Sequence, residues 1–359
     1  MMDRFDEFSK FAKKYGDFLA PDFAVIIGGK NLIEQGVEVA KLSVKLSTSA
    51  SDRFSITANN AYDVKDNTFF FARDEYREMI QVGQAAEVKL GYGSTLETVF
   101  IGTVENVASS FPAGGQPQVT VSGYDNSRQM MKNVRLTRAK DKTDDELVRS
   151  FTATYGFSNV DVDATDLKRP DRVQVNVSDY QFLQGLAKEN SREFFVSGDR
   201  FVFRKRPTNA KPVVTLVWGE SLIDFNSQTN LASQVKEITV SGWDEEAKKD
   251  VEATVKISDV GVPKELASII EKTGVAKRFV ANVAKVAEAE EKARSKLEEV
   301  TSALLTGSGS CIGLPDIVVG ETLKLEGLTE EFDGLYEITG VSHNVGTGGY
   351  TTQFDLQRS

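Results

Sequence analysis

Phe100-Ile101-Gly102-Thr103-Val104-Glu105-Asn106-Val107 and Tyr336-Glu337-Ile338-Thr339-Gly340-Val341-Ser342-His343-Asn344-Val345 stand near opposite ends of a 359-residue chain, in surroundings that match in order. Ahead of the first run come Val82-Gly83 and Val88-Lys89-Leu90; behind it come Gly114-Gly115 and Gln118-Val119-Thr120-Val121. Ahead of the second come Val319-Gly320 and Leu323-Lys324-Leu325; behind it come Gly348-Gly349 and Tyr350-Thr351-Thr352-Gln353-Phe354. The offset stays near 237 residues, the distance from Gly83 to Gly320 and from Val104 to Val341. Glycine turns between strands are common to all antiparallel sheets, so duplication rests here on the order of the runs and their constant spacing. A shorter echo, Val121-Ser122-Gly123-Tyr124-Asp125 against Val240-Ser241-Gly242-Trp243-Asp244, joins different positions of the two units.

Outward from these runs the pattern changes in blocks. Phe5, Phe8, Ala12, Tyr15, Phe18 and Leu19 recur at helical spacing, which predicts an amphipathic helix over residues 3–19, stopped by Pro21. Its aromatic stripe can dock on this chain's own β unit or on a neighbouring subunit. From Phe23 to Val121 short alternating runs separated by polar turns predict a sandwich or barrel, with one short helix near Asp74–Met79. Between 144 and 206 the texture is mixed: a helix from Asp144 to about Gly156 and a second begun by the capping pair Ser178 and Gln181. A hairpin follows around Gly198-Asp199. Strands resume at Val213–Trp218 and Val235–Val240, and a charged helical stretch runs from about Ala281 to Leu305. Gly307-Ser308-Gly309-Ser310 reads as a flexible connection closing that helix.

Composition narrows the function classes. Net charge is −10, with 40% hydrophobic and 27% charged residues, an ordinary globular balance that repels a phosphate backbone. Arg204, Lys205 and Arg206 are too short a basic cluster to reverse that and read as the edge of a strand or a domain exit. Cys311 is the single cysteine, so neither an internal disulfide nor a thiolate metal cluster can form. Residues 1–20 are charged throughout and lack the apolar core of a secretory signal, and nothing approaches the ~18 apolar residues of a membrane span. The expectation is a protein made in the cytoplasm without a signal peptide, with no membrane insertion and no specific nucleic-acid binding.

Catalytic patterns are scarce. His343 is the single histidine, which excludes HExxH and other two-histidine metal sites and reads as structural among strand residues. The glycines at 307–309 lead into no GK[ST], so a phosphate cradle is not expected. No catalytic residue, cofactor or metal is assigned. With 53 acidic residues, a glycosidase-like carboxylate pair stays open as an alternative: a peptidoglycan- or glycan-directed hydrolase or binding module on duplicated β domains.

Thr306-Gly307-Ser308-Gly309-Ser310-Cys311-Ile312-Gly313, Val319-Gly320-Glu321-Thr322-Leu323-Lys324-Leu325-Glu326-Gly327-Leu328, Phe332-Asp333-Gly334-Leu335-Tyr336 and Gly348-Gly349-Tyr350-Thr351-Thr352 together resemble the C-terminal signature of the phage late control protein D family. That family comprises baseplate hubs of contractile tails and is related to the hub portion of VgrG-type spikes. The resemblance implies an α+β, mainly β fold with two tube-like antiparallel β-barrel domains. Their bounds are 21–133 and 210–359, after an N-terminal helix at 1–20, around a small α/β module at 134–209, with a long helical insertion at about 263–306. It further implies a non-enzymatic homotrimer, a pseudo-hexameric symmetry adaptor between a hexameric tail tube protein and a trimeric spike protein, touching other baseplate proteins within a virion tail or extracellular phage-like particle. Because the chain stops at Ser359, after the second unit, the spike is expected to be a separate polypeptide. The duplicated strands nominate Val104, Asn106, Val107, Val341, Asn344 and Val345 as candidate ring contacts. The net charge leads to the expectation of an acidic channel wall.

Overall fold

A computed structural model describes residues 6–358, other than 61, 64, 66, 166, 167, 169, 170, 208, 209, 232, 233, 246 and 263. Helix α1 (Asp6–Lys14) is shorter than the predicted helix, whose residues 3–5 lie outside those described. Gly16, Asp17 and Phe18 take φ of 57°, 53° and 59°, which no right-handed helix continues through, so the stop comes before Pro21.

The first unit contains β1 (Pro21–Ile27), β2 (Lys30–Asn31), β3 (Val39–Ser47), β4 (Arg53–Asn59), β5 (Tyr62–Asp63), β6 (Thr68–Phe69), α2 (Asp74–Met79), β7 (Ala85–Tyr92), β8 (Thr95–Ser110) and β9 (Gln118–Tyr124). A small module follows with α3 (Ser127–Lys132), β10 (Val134–Ala139), α4 (Asp144–Tyr155), β11 (Asn159–Val162), β12 (Arg172–Ser178), α5 (Asp179–Glu189), β13 (Glu193–Ser197) and β14 (Arg200–Arg204). The α5 start is the capping box read from sequence: the Gln181 amide donates to Ser178 Oγ at 3.2 Å and the Ser178 amide to Gln181 Oε1 at 3.1 Å. In the β13–β14 hairpin both faces are buried. Phe195 and Val202 point into the main core, while Phe194, Val196, Phe201 and Phe203 fill the module's own core.

The rest comprises β15 (Val214–Val217), β16 (Leu222–Thr229), β17 (Val235–Asp244), β18 (Lys249–Lys256), α6 (Lys264–Thr273), β19 (Val275–Val280), α7 (Val286–Ser302), β20 (Leu305–Ile312), β21 (Thr322–Glu326), β22 (Gly334–Gly346) and β23 (Gly349–Arg358). Three expectations need correction here. The insertion at about 263–306 is not helical throughout, because residues 275–280 form a strand parallel to β17 between α6 and α7; the helix expected at about Ala281–Leu305 is α7. The Gly-Ser run is no flexible connection but the middle of β20, paired on both sides. Its glycines are needed for space: a Cβ at Gly307 would sit 2.5 Å from the Phe225 ring, and one at Gly309 2.6 Å from the Asp224 carbonyl oxygen. Finally, Val240–Asp244 lies in β17, which belongs with β18 and β19 to a separate sheet packed on α6 and α7, so its likeness to Val121–Asp125 reflects no equivalent position.

The fold is α+β and mainly β. Strands of both units share one 13-stranded sheet, ordered β16-β20-β23-β22-β3-β4-β9-β8-β7-β1-β2, with β15 and β21 attached through β22. This hydrogen-bonded path does not close among the described residues; the units are joined edge to edge.

Candidate interaction site: a duplicated sheet, its junction and its edges

Hydrogen-bond register defines the duplication residue by residue. In the first unit one row across the sheet reads Val44, Phe54, Gly123, Val104; in the second it reads Ser227, Gly307, Leu356, Ile338. Two residues along, Leu42, Ile56, Val121, Val107 corresponds to Phe225, Gly309, Phe354, Val341. The turn before the long strand is also copied. The Gly83 amide donates to the Val104 carbonyl and the Gly320 amide to the Ile338 carbonyl, both at 2.8 Å, with both glycines at positive φ. Val104 therefore corresponds to Ile338, 234 residues on, and not to Val341. The constant offset of 237 slips by three because twelve residues separate Val88 from its partner Phe100 in the first hairpin, and nine separate Leu325 from Gly334 in the second.

The units meet where the second half of β22 pairs with β3, from Gly340 opposite Ser47 to Val345 opposite Leu42. Val341 and Val345 thus lie at a contact inside the chain, and Asn344 accepts a 2.9 Å hydrogen bond from Ser43 Oγ there. Val104 is wholly buried and contributes core packing. Asn106 and Val107 lie on the exposed end of β8, so the six nominated residues fall into a core position, an internal junction and an open edge.

The outward face of the sheet is polar and small. Ser43, Ser55, Thr57 and Ser122 line a shallow concavity in the first unit together with Lys41, Lys45, Arg53 and Tyr124. On β3, β4 and β9 these three cations are the only charged residues; on β16, β20 and β23 the outward charges are Asp224 and Asp355. Overall acidity does not extend to this face. The acidic residues are spent in part on ion pairs elsewhere: Arg204 binds Asp161 and Glu193, and Arg206 meets Glu337 at 3.1 Å, which accounts for the basic cluster at the end of β14.

His343 is fully buried beneath the junction, its Nδ1 3.1 Å from Thr352 Oγ1 and 3.0 Å from the Tyr350 hydroxyl. Burial holds its imidazole down at about 4, so it is neutral near pH 7 and has no access to a substrate. Sequence reasoning did not find the buried carboxylates Asp52 and Asp125. Asp52 accepts from the Ser47 amide at 2.8 Å and from Ser197 Oγ at 2.7 Å, tying the sheet to the β13–β14 hairpin. Burial pushes Asp52 up to about 7, and burial with the neighbouring Asp52 charge raises Asp125. Both carboxylates are enclosed by protein, so this pair cannot receive a polysaccharide.

Helix α1 lies on its own chain, at the seam of the units. The Tyr15 hydroxyl donates to Asp316 at 2.6 Å, Lys14 bridges Glu97 and Asp316 at 2.9 and 2.8 Å, and Tyr15 and Phe18 pack on Tyr92. Among the described residues no helix is long and apolar enough to cross a membrane.

No curated protein matches the chain by sequence. Solved structures do match over nearly its whole length. The 43 kDa tail protein of prophage MuSo2 from Shewanella oneidensis superposes with a TM-score of 0.70 at 15% identity, covering 94% of this chain and 98% of that one. A tail protein from Neisseria meningitidis MC58 gives 0.68 at 14% identity over 95% and 97%. An E. coli component of the type VI secretion system, described as structurally similar to the T4 tail proteins gp27 and gp5, gives 0.57 at 12% identity over 93% and 76%. The shared fold agrees with the hub resemblance read from the C-terminal motif. Residues 20–347 match the model of the Alg8 N-terminal domain, and the chain belongs to that family.

Proposed function

We propose that this chain is the structural hub of a contractile phage tail or phage-like injection system. Three copies form a pseudo-hexameric ring that adapts a hexameric inner tube to a trimeric spike. The observation that carries this reading is the position-by-position correspondence of two units in one sheet. Three chains with two such units each present six nearly equivalent strand sets, which a six-fold partner can match, while the single α/β module per chain keeps the assembly three-fold. The structurally similar proteins, two tail proteins and a type VI secretion component, support the same role.

In this reading residues 21–133 and 210–359 are the two tube-like units, 134–209 the module and 263–306 the insertion. The small polar outward face lines the channel, a wall of Ser, Thr, Asn and Gln with sparse charges of both signs. The hub acts by shape and symmetry without catalysis, alongside other baseplate proteins of the particle. Native mass spectrometry of the full chain, alone and with tube and spike proteins, tests it. A trimer is expected; a hub that stays monomeric with both partners present overturns the reading.

A further inference from the structure

Three cations share the concavity on the outward face of the first unit, and no acidic residue lines it. Lys45 of β3 stands directly opposite Arg53 of β4, and Lys41 opposite Thr57. Like charges directly opposite on antiparallel strands destabilise a sheet. None of the three forms an ion pair among the described residues, and Glu105, two strands from Arg53, is taken up by Lys132 at 2.8 Å and Arg128 at 3.7 Å.

The duplicated unit supplies an internal control. By the register above, Lys45 and Arg53 correspond to Gln228 and Thr306, which also face each other, while Lys41 and Thr57 correspond to Asp224 and Ser310, which are hydrogen-bonded to each other. The same backbone is thus built in the second unit with neutral or satisfied side chains, so the fold itself does not call for clustered cations. The floor between them is also equipped to bind. Ser55 and Ser122 face each other in the row between Lys45–Arg53 and Lys41–Thr57, half-buried, and neither hydroxyl has a partner among the described residues.

Size and surroundings narrow the ligand. The volume of about 380 Å³ holds on the order of ten waters, more than a lone phosphate fills. Lys41 and Lys45 are four residues apart, ~13 Å along the strand, so one small anion cannot meet both ends. Phe54 is wholly buried and the Tyr124 ring is already engaged by the Arg128 guanidinium, 4.9 Å from its centroid, which leaves no apolar platform for a base or a peptide side chain. The net charge of −10 opposes a long polyanion, whereas a short one meets only the local cations.

We infer that this concavity binds a condensed phosphate, an anion of two or more linked phosphoryl groups. Arg53 and Lys45 hold one end, Arg53 through the paired donors of its planar guanidinium and Lys45 as a point charge. Lys41 holds the other end, and the Ser55 and Ser122 hydroxyls donate to the oxygens between. The site goes beyond the hub reading and does not depend on the number of copies in the assembly.

Isothermal titration calorimetry of the full-length protein with sodium tripolyphosphate, at fixed ionic strength, tests it. One site per chain is expected, with affinity at least about tenfold above that of inorganic phosphate and falling as salt is raised. Lys45→Gln/Arg53→Gln is expected to weaken binding by at least about tenfold. Lys249→Gln/Lys256→Gln removes the same charge from exposed positions of β18 and should stay within about twofold of wild type. Thermal melts in chloride check that both variants fold. Absence of binding by the wild type, equal loss in the two double variants, or citrate binding as tightly as tripolyphosphate would overturn the assignment. A thymidine oligonucleotide binding more tightly than tripolyphosphate would also overturn it, in favour of a nucleic-acid backbone.

Discussion

The two halves of the sheet superpose in register yet differ in what fills each position. Where the first unit places Ile56 against the core, the second has Gly309, and the space is taken by the Asp224 carbonyl oxygen and the Phe354 ring. Where the first unit has Gly123, with Phe54 packed where a Cβ would go, the second has Leu356 beside Gly307. On the outward face the first half shows Lys41, Lys45 and Arg53, and the second Asp224 and Asp355. Backbone pairing has been kept while volume moved between strands, as expected when a core must stay filled but the residue that fills it is free to change.

Exchanging the volumes should hurt both halves. Ile56→Ala removes a buried side chain and is expected to cost about 4 kcal/mol. Gly309→Leu drives atoms into the Asp224 carbonyl and the Phe354 ring and is expected to cost about 3 kcal/mol or more. Chemical unfolding of each variant measures this; a loss below about 1 kcal/mol for either would break the volume comparison.

Acid response should divide between the halves as well. The His343 imidazole titrates at about 4 when folded against 6.5 unfolded, so the unfolded state takes up the proton first. Stability from this group is lost as pH falls from 6.5 towards 4, on the order of 3 kcal/mol in all. Asp52 acts oppositely: raised to about 7 from 3.8, it gains its proton first in the folded state, so its contribution grows as pH falls through 7 towards 4. Thermal melts from pH 7.5 to 4 should show Asp52→Asn losing stability on acidification more steeply than wild type. His343→Gln should lose it less steeply; equal slopes for all three would refute the division.

The smallest effects belong to the outward charges. Replacing Lys41, Lys45 or Arg53 by Gln should change stability by no more than about 0.5 kcal/mol, since each is exposed. Asp224→Ala should cost about 1 kcal/mol, because the carboxylate accepts from Ser310 Oγ. Melting temperatures compared side by side would show whether only the second half uses its charges structurally.

Local signals were legible in sequence. Alternation located most strands, the Ser178 and Gln181 pair located the start of α5, and the order of glycines and strands exposed the duplication. Long-range pairing was not legible. Gly307-Ser308-Gly309-Ser310 has the composition of a linker, and only the Phe225 and Phe354 rings packed against it explain why a strand there needs glycine. Val275–Val280 pairs in parallel with a strand some forty residues away, so nothing beside it in sequence announces it. The candidate contacts fall in three different settings. Asn106 and Val107 are at an open edge, but the three-residue slip in offset hid that Val341 and Asn344 correspond to Val107 and Ser110.

The β3–β22 junction also fixes an order of events during synthesis. Strand β3 finishes at Ser47, but the partner that covers its edge lies in Gly340–Val345, nearly three hundred residues later. While the chain is being made, the first unit can assemble β4, β9, β8 and β7 and yet leave the β3 edge unpaired, guarded only by Lys41 and Lys45, until β22 leaves the ribosome. At ordinary translation speeds that is an interval of tens of seconds, during which a chaperone or neighbouring nascent chains compete for the same backbone amides.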